Sequence, residues 1–163
     1  MSLFDRRTLL MMPLALAACG FEPVHAPGGS GAALNGQVKL SAPNTTESYL
    51  LVQNLEQRLG RSASSGGAYA LDVGVSTVTR AAAITTTNET NRYSIDGKAN
   101  YTLKSNETGQ IVASGSVENF VGYSAAGSTV STLADERDAK QRLMVILSDQ
   151  IISELYAAPG LGT

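Results

Sequence analysis

Two side chains in this 163-residue sequence have strong nucleophilic or metal-ligating chemistry, the single cysteine, Cys19, and the single histidine, His25. Both lie in a stretch rich in Pro and Gly, with no patterned element around them. A nucleophilic thiol needs a base held beside it, and a metal needs several converging ligands. Neither requirement is met by one imidazole in a tether. No H-E-x-x-H, phosphate-loop glycine pattern or G-x-S-x-G is present. The carboxylates are scattered through a chain that is only 16% charged, so an acid and base pair is not needed to account for them. "DERD" at 135–138 looks like a charged motif, but acids in the first turn of a helix suit its positive terminus. Glu136 with Lys140 and Asp138 with Arg142 are spaced as i,i+4 ion pairs. The sequence therefore predicts no enzyme, no metal and no catalytic residue.

The chemistry left to Cys19 is acylation. Arg6 and Arg7 precede an apolar run, Leu9 to Ala17, that is too short to span a bilayer and reads as a signal peptide. Its end, Leu16-Ala17-Ala18-Cys19, resembles the bacterial lipobox, with Cys19 becoming the first residue of the mature chain. S-diacylglycerol on the thiol and an N-acyl group on the new amine are then the only covalent additions expected. At about 0.8 kcal/mol per buried CH₂, several acyl chains of the palmitate kind anchor permanently. Gly20 rather than Asp follows the cysteine, which by resemblance to enteric sorting rules directs the protein to the outer membrane, on its periplasmic side. The Arg6-Arg7 pair also leaves twin-arginine export open beside ordinary secretion. Since the leader carries +1 of the net −2, the remainder is −3. That mild acidity argues against nucleic acid as a partner. With Cys19 lipidated no disulfide is possible, and the 145 residues from Cys19 onward must fold on core packing alone, which a domain of that size supports.

Positioning elements follow from periodicity. Residues 19–36 read as a lipidated N-terminus and flexible tether, the last sixteen able to span at most about 50–58 Å. Val38 and Leu40 around Lys39 predict a short strand closed by Pro43. Asn44 as N-cap, Glu47 three residues later, Leu51, Leu55 and Leu59 in one stripe and Gly60 as stop predict an amphipathic helix. Tyr69, Leu71, Val73 and Val75 alternate with small and polar residues, a strand that fades beyond Val78 toward a turn near Asn88. Tyr93, Ile95, Gly97, Ala99, Tyr101 and Leu103 line one side of a second long strand, whose other side is polar. After the "SNETG" turn, Ile111, Ala113, Gly115, Val117 and Val121 continue the buried set. Ala139, Leu143, Leu147, Ile151 and Leu155 predict a helix from Leu133 to Tyr156, about 36 Å long.

The expected fold is α+β, a two-layer sandwich: an open four-stranded mixed sheet with two helices on one face, in the order β-α-β-β-β-α. The expected divisions are a lipoprotein signal peptide at 1–18, the tether at 19–36, the folded domain at 37–158 and a tail at 159–163. On the sheet face away from the helices, Phe120, Val78 and Val112 are the larger apolar exceptions among polar residues. Such a face is either simply solvated or fitted to another polar surface, such as the water-like interior of an outer-membrane barrel.

"ACGFEP" at the lipidation site and "STLADERDAKQRLMVILSDQI" opening the last helix, with the element order, resemble the LptE-like lipopolysaccharide-assembly lipoproteins, in particular the alphaproteobacterial type. The resemblance implies a non-enzymatic role: plug and assembly partner, one to one, of the β-barrel LptD, which delivers lipopolysaccharide to the outer leaflet. It also implies lipopolysaccharide itself as a ligand. By charge, Arg80, Arg92, Lys98 and Lys104 are candidates for its phosphates and carboxylates, and equally are ordinary solvated surface residues. Two alternatives remain at this level: a lipoprotein subunit of a phospholipid-trafficking ABC transporter, and a stand-alone periplasmic ligand-binding lipoprotein, which would demand a concave apolar pocket.

Overall fold

Three stretches of alternating apolar and polar residues become three long strands: β2, Tyr69–Ile84, β3, Thr90–Ser105, and β4, Ile111–Ser124. The computed structural model describes residues 24–25, 27–61, 67–84, 90–125 and 127–161. The signal peptide, Cys19 and the turn expected near Asn88 lie outside the described residues. A short strand β1, Val38–Leu40, pairs parallel to β2, while β2, β3 and β4 run antiparallel in the order β1-β2-β3-β4. Helix α2, Thr46–Leu59, makes the crossover between the parallel pair, and helix α3, Thr129–Ala157, follows β4. The open mixed sheet with both long helices on one face is the architecture that the alternation and the helical stripes imply. Leu71, Ile95, Ala99, Tyr101, Leu103, Val117, Val121 and Tyr123 point from the sheet into one core with Leu51, Leu55, Leu59, Leu143, Leu147, Ile151 and Leu155 from the helices.

Local chemistry moves several boundaries. The N-cap of α2 is Thr45, not Asn44: the Ser48 amide donates to Thr45 Oγ1 at 3.0 Å, and the Thr45 amide donates to Ser48 Oγ at 2.8 Å. Glu47 is thereby left to pair with Lys140 of α3 at 3.3 Å. Helix α3 begins at Thr129 behind Ser128, four residues before the expected start at Leu133. Its 29 residues are about 43 Å long. Capping chemistry, invisible to hydrophobic period, sets that start. "DERD" consequently lies beyond the first turn, where there is no acid, and the helix-terminus account of it fails. The ion-pair account stands, with Glu136–Lys140 at 3.1 Å and Asp138–Arg142 at 2.9 Å. Lys140 thus grips both α2 and its own helix. Its ammonium pKa is raised by the Glu136 hydrogen bond, against burial, with Glu47 assisting.

The expected tether does not run to Gly36. Residues Ser30–Leu34 form a short helix, α1, with Leu34 buried in the core. Ser30 Oγ donates to the Tyr156 carbonyl at 2.7 Å, and the His25 ring packs edge-on against Tyr156. A five-residue helix has no period to read and exists because tertiary contacts hold it. The tail is likewise not free: Leu161, beyond Pro159-Gly160, is buried in the same core.

A register shift between Leu103 and Lys104 pairs Lys104 with Ile111. One extra residue in a strand exchanges the two faces for everything beyond it. Ile111, expected in the core, is therefore 61% exposed on the outer face, and Val112, expected outside, packs against the core. Farther along the inner face, Tyr101 Oη donates to Glu154 Oε2 of α3 at 2.6 Å. Burial, then the hydrogen bond and charge of Glu154, push this phenol well above the ordinary range.

Candidate functional site

With the inner face filled by helices, the outer face of the sheet is the broad surface left for recognition. Its side chains stand in rows set by the two hairpins. Asp72, Thr102 and Ser114 form one row, followed by Gly74, Asn100 and Ser116, then Ser76, Lys98 and Glu118, then Val78, Asp96 and Phe120, then Arg80, Ser94 and Gly122. The middle of the face is small and hydroxylated. Toward one end, Val78 and Phe120, 54% and 69% exposed, flank the Asp96 carboxylate.

Asp96 is held by Arg80 at 3.3 Å and accepts from Ser94 Oγ at 3.2 Å. Lys98 pairs with Glu118 across β3 and β4, and Lys104 lies 3.5 Å from Asp72 across β2 and β3. A shallow depression of about 500 Å³ runs over this region, with Arg80, Lys98 and Phe120 on its rim. Arg80, Asp96, Lys98 and Glu118 all line it, unlike the concave apolar pocket of a small-ligand binder.

Arg80 and Lys98 therefore share one depression. Arg92 stands at one end of the face beside Tyr123 and Gly122, and Lys104 at the other. The thirteen residues of β3 from Arg92 to Lys104 span roughly 40 Å, so the four cations cannot converge on one anionic group. Three of them are already matched by a cross-strand carboxylate. Arg92 ion-pairs with no carboxylate among the described residues. Asp72, Asp96 and Glu118, the partners, were not singled out from the sequence. Hairpin register would have found them, since Lys98 and Glu118 lie equally far from the turn that joins β3 to β4. Among the described residues no cluster of three His, Cys, Asp or Glu could hold a metal ion, and no helix is long and apolar enough to cross a membrane.

A family model described as LptE, lipopolysaccharide-assembly, matches residues 36–155, nearly the whole of the two-layer unit. No curated protein matches the sequence. Among solved structures, a lipoprotein from Caulobacter crescentus is similar at a TM-score of 0.66 and 22% identity, over 81% of this chain and 96% of its own. The rare lipoprotein B of Shewanella oneidensis is similar at 0.57 and 10%, over 74% and 92%. A lipoprotein B from Nitrosomonas europaea is similar at 0.57 and 12%, over 87% and 95%. At these identities the structural likeness establishes a shared fold.

Proposed function

This chain belongs to the LptE family of lipopolysaccharide-assembly proteins, and on that premise we propose that it is an outer-membrane lipoprotein that seats in the LptD barrel as a one-to-one plug. In that position it supports delivery of lipopolysaccharide to the outer leaflet, with lipopolysaccharide as a direct ligand. The observation that carries the reading is the outer sheet face: hydroxylated, with Arg80, Lys98 and Lys104 each neutralised by a cross-strand carboxylate and with Val78, Ile111 and Phe120 as its exposed large apolar side chains. A barrel interior is polar and wet. A surface that keeps its hydrogen-bonding groups hydrated can meet such a wall through bridging water, without the desolvation cost of unpaired charge. The role is one of binding and assembly, with no enzymatic step and no cofactor beyond the acyl groups on Cys19.

Lipidation at Cys19 gives the plug an orientation. His25 is six residue steps from Cys19, a reach of at most about 20–22 Å, and it rests on Tyr156 near the C-terminal end of α3. That end faces the anchoring leaflet, held within a shorter reach than a tether running to Gly36 would set, and the β2–β3 end points away from it.

The test is purification of the tagged lipoprotein from membranes in gentle detergent. A large heat-modifiable barrel is expected to accompany it in equal amount, and depletion of the lipoprotein is expected to lower surface lipopolysaccharide. A protein that comes out solitary would overturn the plug. Depletion that leaves surface lipopolysaccharide intact while disturbing phospholipid would favour the transporter-subunit reading instead.

A further inference from the structure

The two edges of the sheet are treated differently. Strand β1 is three residues long, carries Lys39 at its centre and is followed by Pro43, features that blunt an edge against pairing. Strand β4 is 14 residues long, contains neither proline nor lysine and has one charge, Glu118. Among the described residues no strand covers its far side. Such an edge presents a row of outward amide and carbonyl groups that no neighbouring strand pairs, although the Phe120 amide donates to Asn119 Oδ1 at 2.8 Å.

Beside this edge, between β4 and α3, runs a trough of about 530 Å³. Val117 and Glu118 line it from the strand, and Ile146, Gln150, Ser153 and Glu154 from the helix. A strand edge next to a helix groove is the arrangement in which extended peptides are bound by strand addition. Main-chain hydrogen bonds give affinity there, and alternate side chains enter the groove. The trough is rich in acceptors. Glu154 accepts from the neutral Tyr101 phenol and ion-pairs with no cation among the described residues, and Gln150 Oε1 is buried with no hydrogen-bond partner among the described residues. Asp149, at its floor, is the one carboxylate of α3 here matched by a cation, Arg58 at 2.7 Å.

We propose that the free edge of β4 receives an extended segment of the barrel partner as a fifth strand, with lysine or arginine side chains of that segment entering the trough beside α3. The identity of the partner rests on the function proposed above, whereas the edge and its charge preference stand on β4 and α3 alone. A second copy is the poorer occupant. It would present β4 itself, which has no lysine or arginine, and so would bring no cation into a trough that holds Glu154.

Two measurements decide it. In the first, amide hydrogen exchange is compared between the lipoprotein alone and its membrane-purified barrel complex. Outward amides of Ile111–Ser124 are expected to slow by at least about tenfold in the complex. An intact complex with unprotected β4 overturns the edge proposal and leaves the plug standing. Protection that already appears in the free lipoprotein and rises with its concentration identifies a second copy and also overturns it. In the second, the purified lipoprotein is titrated with a blocked heptapeptide of alternating Thr and Lys, whose lysines share one face, and with its Thr/Glu counterpart. The lysine peptide is expected to bind and to shift β4 amide resonances, and the glutamate peptide to bind at least about tenfold more weakly. Ser153→Lys, at an exposed helix position, is expected to weaken the lysine peptide while leaving the circular dichroism spectrum unchanged. Equal affinity for the two peptides, shifts elsewhere or no binding overturns the edge proposal. Binding of the lysine peptide with no barrel recovered from membranes upholds the edge and removes the plug.

Discussion

Gly97 sits on the inner face of β3, where α3 crosses the sheet. A methyl group built there would stand 2.9 Å from Leu143 Cδ2 and 3.1 Å from Leu147 Cδ1, whereas carbon atoms rest at about 3.5–4.0 Å. Both leucines are fully buried, so in a close-packed core they can retreat only by leaving their rotamers or by lifting the helix. Such overpacking costs about 1–3 kcal/mol. The alanine also restricts the unfolded chain, which returns about 0.4–1 kcal/mol. Gly97→Ala is therefore expected to destabilise by about 1–2 kcal/mol, lowering the melting temperature by about 2–8 °C for a domain of this size. Gly74, on the neighbouring strand but facing outward, has nothing within 4 Å of the equivalent position. Gly74→Ala should be neutral or stabilising by about 0.4–1 kcal/mol. Urea unfolding followed by circular dichroism, with unchanged m-values, measures both. Adding Leu143→Val to Gly97→Ala should recover part of the loss, with a coupling of at least about 0.5 kcal/mol. A Gly97→Ala protein as stable as the parent, with no coupling to residue 143, would show that the helix does not rest on the strand at this glycine.

Four other outcomes are expected. Because burial and Glu154 raise the Tyr101 phenol pKa in the folded state, the stability it contributes is complete below about pH 10 and is lost as pH rises toward the folded pKa; Tyr101→Phe should cost about 1 kcal/mol at neutral pH and flatten the alkaline part of the stability curve. Lys140, also raised, should give the same sign: Lys140→Met costs about 0.5–1 kcal/mol at pH 7, after allowance for partial solvent screening, and the difference closes as pH rises through the raised folded pKa and the parent loses its charge. Arg92→Glu with Lys98→Glu should weaken lipopolysaccharide capture in a pull-down while stability moves by less than about 1 kcal/mol; an unchanged affinity removes both residues from the binding surface. Cys19→Ser should leave the protein unacylated by mass spectrometry and shift it from the membrane to the soluble fraction, and retention on the membrane would contradict the anchor.

Much of the scaffold is legible because its signals are local. The alternation through Tyr93–Leu103 and the four-residue spacing from Ala139 to Leu155 each specify one buried side, and the structure buries those sides. The misreadings share another cause. Ile111 and Val112 exchange faces at a register shift that no single-strand pattern contains. The start of α3 depends on a serine cap, and α1 on a surface for Leu34 to cover. Of the candidate cations, Arg80, Lys98 and Lys104 are recognisable by charge, but the carboxylates that neutralise them lie on other strands.

The sequence by itself determined which side of the long helices and of most of the sheet turns inward, and the number of layers, because these depend on residues close along the chain. Only the tertiary structure decided which charges meet, which edge stays open and where the segment around His25 is held. Those depend on register and on contacts such as that of His25 with Tyr156, between residues far apart along the chain, and local periodicity carries no information about them.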